Sequence, residues 1–131
     1  MTIRSDNSIT GGERSQTLQV PLTLAKMGIT SPVPASSNVQ SNILPSNGYL
    51  LFALGVTSVN AGSISIQRFV DLAGNVPQGV PITASLIGGT AQVCNITNDG
   101  YPFQSMQITI TNTGGSTSAL TNALGLWQSA D

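Results

Sequence analysis

Apolar and polar positions alternate with a period of two along most of the chain, the pattern of β-strands that bury one face. The first arm, Tyr49–Val59, begins with the longest apolar run, Tyr49–Val56; it is followed by Asn60-Ala61-Gly62 and by a second, alternating arm, Ser63–Val70. Asn and Gly tolerate the backbone angles of short loops, so we predict that residues 49–70 form a β-hairpin. The first arm is apolar on both parities up to Thr57, which predicts a strand covered on both faces.

The same alternation recurs in five further stretches separated by Gly, Asn and Pro turns: Thr17–Leu24, Val80–Leu86, Ala91–Thr97, Phe103–Asn112 and Ser118–Gln128. About seven short strands at this spacing predict an all-β fold, a single antiparallel β-sandwich of jelly-roll or immunoglobulin-like topology. Pro21 lacks a main-chain donor, which places the first strand at an edge or a bulge.

In the last of these stretches, Leu120, Leu124 and Leu126 share one parity and Trp127 has the other. A helix over residues 116–124 is an alternative, but the Thr and Gly residues in this stretch favour a strand.

Two segments lack this periodicity. Residues 1–15 contain Gly11-Gly12 among polar neighbours and are expected to form a flexible N-terminal arm. Residues 26–47 contain three prolines and a Ser/Asn-rich centre, and are expected to form a long loop within a sandwich domain of residues 16–131. Loops of this length are usually functional or become ordered on a partner.

The chain is polar but hardly charged. Ser, Thr, Asn and Gln number 49, whereas charged residues make up 7% of the 131 residues against a usual ~25%. No basic stripe is present to neutralise phosphates, so we expect no nucleic-acid binding. No apolar run is long enough to span a bilayer, and the N-terminus lacks the apolar core of a signal peptide, so we expect neither membrane insertion nor secretion.

Residues that carry chemistry are few. The absence of histidine excludes Ser-His-Asp and Cys-His catalysis and most zinc sites. The single cysteine, Cys94, excludes an intrachain disulfide and is expected to be a buried strand residue. Asp71 and Asp99 are candidates for a carboxylate pair in glycoside hydrolysis or calcium binding, but both occupy Gly/Asn-rich turns, where Asp commonly binds the backbone. We therefore predict no enzyme activity and no catalytic, cofactor-binding or metal site.

Three other features leave alternatives open. Arg68 shares the parity of Ile66, so it either escapes to solvent at a frayed strand end or pairs with Asp71 or Asp99. The aromatic residues Trp127, Tyr49 and Tyr101 either form a sugar-binding platform or pack in a core or interface. Asn95-Ile96-Thr97 matches a glycosylation acceptor, which is attributed to chance because no secretory signal is expected.

Several segments together resemble small β-sandwich virion proteins of tailed bacteriophages: Gly62–Phe69 followed by Asp71-Leu72-Ala73-Gly74, Pro81–Leu86, Asp99-Gly100-Tyr101-Pro102-Phe103, Ile108–Asn112 and the closing Leu-Trp-Gln. The resemblance covers residues 49–129 and consists of strand and turn residues. Proteins of this kind decorate capsids or serve at the neck and tail, often as trimers.

The resemblance implies a non-enzymatic structural protein of the virion, a capsid decoration or cement protein made in the host cytoplasm. It also implies a homo-oligomer, with a trimer favoured, and partners such as the major capsid protein. The alternative function is a carbohydrate- or receptor-binding module of a tail or fibre, which an exposed aromatic platform near Trp127 or Tyr101 would favour.

Overall fold

The computed structural model describes residues 18–129, so the predicted arm at residues 1–15 lies outside the described part of the chain. The described elements are β1 Gln19–Leu22, α1 Leu24–Met27, β2 Ser37–Gln40, β3 Leu44–Pro45, β4 Leu51–Ser58, β5 Gly62–Phe69, β6 Ile82–Leu86, β7 Ala91–Ile96, β8 Ser105–Asn112 and β9 Leu120–Gln128. No helix in this region is long and apolar enough to cross a membrane.

The strands form two antiparallel sheets. Sheet one has the order β1-β9-β4-β7, and sheet two has the order β2-β8-β5-β6 with β3 also paired to β8. The apolar faces of both sheets meet in one core, so the prediction of an all-β antiparallel sandwich is confirmed. The described strands number nine rather than about seven, because β2 and β3 lie within the segment expected to be a loop.

The predicted hairpin at residues 49–70 is wrong. Strand β4 pairs with β9 and β7 in sheet one, whereas β5 pairs with β8 and β6 in sheet two. Both edges of each strand are therefore occupied, and the two strands do not pair with each other. The connection between them crosses from one sheet to the other. Asn60 anchors this crossing, since its N–H donates to Ser118 Oγ at 3.0 Å and its Nδ2 donates to the main-chain oxygen of Ser116 at 2.8 Å.

Strand β4 is covered on one face only, contrary to the prediction for this arm. Phe52, Leu54 and Val56 are buried, whereas the alternate residues Leu51 and Ala53 are half-buried on the outer side. The apolar character of both parities therefore reflects an apolar outer surface rather than a second covering layer.

The segment 26–47 is integrated into the fold rather than forming one long irregular loop. The single-turn helix α1 is capped by Thr23, whose side chain accepts from Lys26 N, and ends at Gly28, which has a φ of 79°. Beyond it, Ile29, Val33 and Leu44 are buried in the core. Burial of these side chains stabilises the segment by removing their apolar surface from water.

A bulge in β9 decides which of its side chains reach the core. The register against β4 shifts between Thr121 and Leu124, where Asn122 has a φ of 49°. One extra residue reverses the parity of a strand. As a result Leu120 and Trp127 are both buried despite their different parities, while Leu124 is 48% exposed.

Candidate interaction surfaces

Arg68 near the end of β5 is buried and paired with Asp99. Its two terminal nitrogens donate to the two carboxylate oxygens at 3.0 and 2.8 Å, a bidentate arrangement. The guanidinium also lies 5.5 Å from the centre of the Phe103 ring. Of the alternatives for Arg68, the structure shows the ion pair with Asp99 and not the solvent-exposed side chain.

The pairing changes the titration of Asp99. The hydrogen bonds from Arg68, aided by the N–H of Tyr101, lower the pKa of Asp99 to about 2, with partial desolvation acting in the opposite direction. The carboxylate therefore stays ionised and fastens the loop at residues 97–103 to β5. Since both terminal nitrogens of the Arg68 guanidinium donate to Asp99, we infer that this ion pair stabilises the fold.

Asp71 binds the backbone of its own turn. Its carboxylate accepts from Val76 N at 2.8 Å and from Asn75 N at 3.0 Å. The hydrogen bond from Val76 is the main reason that the pKa of Asp71 is lowered. Asp71 thus binds its own turn and Asp99 binds Arg68, so the two aspartates do not act as a pair. Within residues 18–129, no three His, Cys, Asp or Glu side chains cluster to hold a metal ion.

The aromatic residues separate into a core cluster and one exposed ring. Trp127 is 4% exposed, and its ring lies 4.9 Å from Phe52, 6.2 Å from Phe103 and 6.3 Å from Tyr49 between centroids. This arrangement shows core packing for Trp127 and not a sugar-binding platform. Tyr101 is exposed and has no aromatic neighbour among the described residues.

Cys94 and Asn95 point to opposite sides of β7. Cys94 is free and buried, as predicted, and burial raises the pKa of its thiol. Asn95 is exposed on the outer side of sheet one.

The outer side of sheet one is an uncharged, largely apolar surface, which we call the apolar face. The strand register places Gly55 of β4 between Leu124 of β9 and Val93 of β7, and places Leu126 opposite Ala53. Val93 is 57% exposed. The other outward residues are Gln19, Pro21, Leu51, Thr57, Ala91, Asn95, Thr121 and Gln128.

Sequence reasoning missed this face because parity alone cannot reveal which strands become neighbours. The sequence does contain one signal of this face: in Tyr49–Val56 the residues that point outward are apolar as well. This pattern predicts a strand buried on both sides, whereas the structure shows an exposed apolar surface.

The outer side of sheet two, which we call the polar face, has a different composition. Along most of the paired region the outward residues carry a hydroxyl or an amide: Asn38, Gln40, Ser63, Ser65, Gln67, Thr83, Ser85, Gln107, Thr109 and Thr111. At one end of this side, Phe69 and Pro45 both pair with Ser105. Neither face presents a charged side chain. In the described region the charged residues are Lys26, Arg68, Asp71 and Asp99, none of which is an outward residue of either sheet.

Within residues 18–129, the sandwich is open along one side, between the edges of the two sheets. A groove of about 560 Å³ lies there, between Val20 and Leu22 of β1 and Leu44 and Pro45 of β3. Trp127 also lines it, together with Tyr49 and the polar residues Lys26 and Asn47. On the opposite side β6 and β7 approach closely enough for Cys94 Sγ to lie 3.7 Å from the main-chain oxygen of Ile82.

Comparison with known proteins finds no matching family profile and no matching curated protein. Among solved structures, the chain is similar to one described as PirA, with a TM-score of 0.45 and 9% identity over 90% of this chain and 97% of that one. It is also similar to a subunit described under Bacillus endospore appendages that form disulfide-linked pili, with a TM-score of 0.48 and 12% identity over 95% of this chain and 97% of that one. Neither description mentions a bacteriophage particle, and likenesses at this level carry no inference about function.

Proposed function

We propose that this protein is a non-enzymatic structural subunit that assembles with copies of itself through the apolar face. The observation that carries the proposal is the continuous uncharged surface formed in register by Leu124, Leu126, Ala53 and Val93 across three strands. Contiguous exposed apolar surface on a small domain commonly marks a site of protein association.

The size of the face indicates the kind of assembly. A sheet of four strands spaced about 4.8 Å apart, each about six residues long, measures about 20 Å by 20 Å, or roughly 400 Å² for each partner. A standard stable interface buries about 800 Å² per partner. One face-to-face contact is therefore about half the size of a standard interface, and a closed ring would require a second contact surface on each subunit.

The finer form of the proposal is a trimeric capsid decoration or cement protein of a tailed bacteriophage, located in the virion and bound to the major capsid protein. It rests on the sequence resemblance and gains no support from the comparisons. The alternative, a carbohydrate-binding module, would require an exposed aromatic platform near Trp127 or Tyr101. Trp127 is buried and Tyr101 has no aromatic neighbour among the described residues, so this alternative is not favoured.

Matched lysine variants test the self-association. Val93→Lys and Leu124→Lys place a charge on the apolar face, while Thr109→Lys places the same charge on the polar face. Burying an unpaired charge or losing one buried aliphatic contact costs more than about 1.4 kcal/mol, so the first two variants should weaken association at least tenfold.

The measurement is size-exclusion chromatography with light scattering at micromolar concentration, with circular dichroism to verify folding. A native mass of three times 13.4 kDa would support the trimer. A wild-type monomer, or equal effects of lysine on both faces, would contradict assembly through the apolar face.

A further inference from the structure

The groove between β1 and β3 has the size and the walls of a small-molecule site. Its volume of about 560 Å³ falls within the range of about 300–1,000 Å³ that is usual for pockets holding small ligands. Val20 lies opposite Trp127 and Leu22 lies opposite Gly125, so both point toward the inner side of sheet one. Val20 is nevertheless 36% exposed. Inner-face apolar side chains left accessible favour an occupant that removes them from water.

Lys26 supplies the groove with a positive charge. It lines the groove together with Asn47, whose side-chain amide is polar but uncharged. The salt bridge found within residues 18–129 joins Arg68 to Asp99, so in this part of the chain Lys26 has no carboxylate partner. A small number of polar groups beside apolar walls fixes the orientation of a bound ligand. The groove is therefore complementary to an apolar chain that ends in a negative charge.

The edge of β1 disfavours a peptide strand as the occupant. This strand has only four residues, and Pro21 removes one of its main-chain donors. A short edge with a missing donor is a poor template for a further hydrogen-bonded strand. An occupant of the groove is therefore held through its apolar surface and its charge rather than through main-chain hydrogen bonds.

We propose that the groove binds a single-chain aliphatic carboxylate, with the alkyl chain against Val20 and Trp127 and the carboxylate at Lys26. This binding is separate from self-association through the apolar face, because the groove lies on the inner side of sheet one and the apolar face on the outer side.

Sodium decanoate, at concentrations below those that form micelles, is the probe for the full chain. Isothermal titration calorimetry should show saturable binding of one molecule per chain, and the fluorescence of Trp127, the only tryptophan, should change with the same affinity. Shortening the probe to octanoate should weaken binding about fourfold for each CH2 removed. Decyltrimethylammonium, which has the opposite charge, should bind at least about tenfold more weakly than decanoate.

Variants at the two ends of the groove test the orientation. Lys26→Gln should weaken decanoate binding about fivefold, whereas Lys26→Arg, which keeps the charge, should restore it. Val20→Asp places a negative charge on the apolar wall and should weaken binding at least tenfold. Gln19→Asp is the matched control, because it adds the same charge to the outer side of the same strand and should leave binding unchanged.

The proposal would be overturned by the absence of saturable binding, by equal affinity for decanoate and decyltrimethylammonium, or by equal binding to the wild type and Lys26→Gln. Equal effects of Val20→Asp and Gln19→Asp would also overturn it. Circular dichroism verifies folding, and the Lys26 variants keep the test decisive if Val20→Asp does not fold, since Lys26 is exposed.

Leu124→Lys separates this proposal from self-association. The variant should bind decanoate as the wild type does, although its association is weakened. Loss of decanoate binding in Leu124→Lys would place the ligand on the apolar face and refute the groove as its site. Light scattering of Val20→Asp, in turn, should show the same association as the wild type whether or not decanoate binds.

Discussion

Replacing Gly62 with alanine should destabilise the protein strongly, because the main chain of β8 occupies the space of a Cβ at this position. Gly62 begins β5 and pairs with Asn112. An added Cβ would lie 2.9 Å from the carbonyl carbon of Thr111 and closer still to its oxygen. Backbone cannot rotate away as a side chain does, so β5 and β8 must separate locally.

The magnitude follows from two contributions. Overpacking of this kind costs about 1–3 kcal/mol. Separation of the strands also weakens hydrogen bonds at the end of the ladder, each worth about 1 kcal/mol. We expect a loss of about 3 kcal/mol in the free energy of unfolding, equivalent to a decrease in melting temperature of about 10 °C for a domain of this size.

Gly115→Ala is the matched control, since no atom lies within 4 Å of its added Cβ and its φ is not positive. That change should alter the free energy of unfolding by no more than about 0.5 kcal/mol. Urea denaturation at 25 °C, followed by the fluorescence of Trp127, measures both variants. Coincident unfolding midpoints would refute the close approach of β5 and β8 at Gly62.

Four other predictions follow from particular contacts. Because the folded-state pKa of Asp99 is about 2, below its usual 3.8, stability should be retained above pH ~4 and fall as the pH approaches 2; Asp99→Asn should reduce this acid dependence in thermal melts. Asn112→Ala should cost about 3 kcal/mol in urea unfolding, because its Nδ2 donates to three main-chain oxygens, whereas Asn38→Ala on the polar face should cost little. Cys94 should react with a thiol reagent only when denaturant unfolds the protein, and rapid labelling of the native chain would contradict its burial. Self-association should depend weakly on sodium chloride between about 0.05 and 1 M, because apolar burial is not screened; loss of the oligomer at high salt would point to an electrostatic interface.

Local sequence patterns were sufficient to identify most of the strands. Period-two alternation located seven of the nine described strands, and Thr and Gly residues correctly favoured a strand over a helix at β9. Pro21 correctly placed β1 at an edge, because a missing donor is a property of the residue itself. The parity of Arg68 likewise indicated a buried charge and named Asp99 among its possible partners.

The pairing of strands depended on the tertiary structure. Asn60-Ala61-Gly62 is compatible with a hairpin, yet β4 and β5 lie in different sheets because each finds two other partners and the loop binds Ser116 and Ser118. The short strands β2 and β3 lack a readable period of their own and exist because β8 offers them an edge.

The composition of the candidate surfaces also depended on the tertiary structure. A single residue inserted at Asn122 reverses the parity of β9, which sends Leu120 into the core and leaves Leu124 outside. The apolar face then arises only because Leu124, Gly55 and Val93 come from strands distant in sequence and adjacent in the sheet. Alternation along a strand specifies two sides, but the register between strands determines which side is buried and what the exposed side presents.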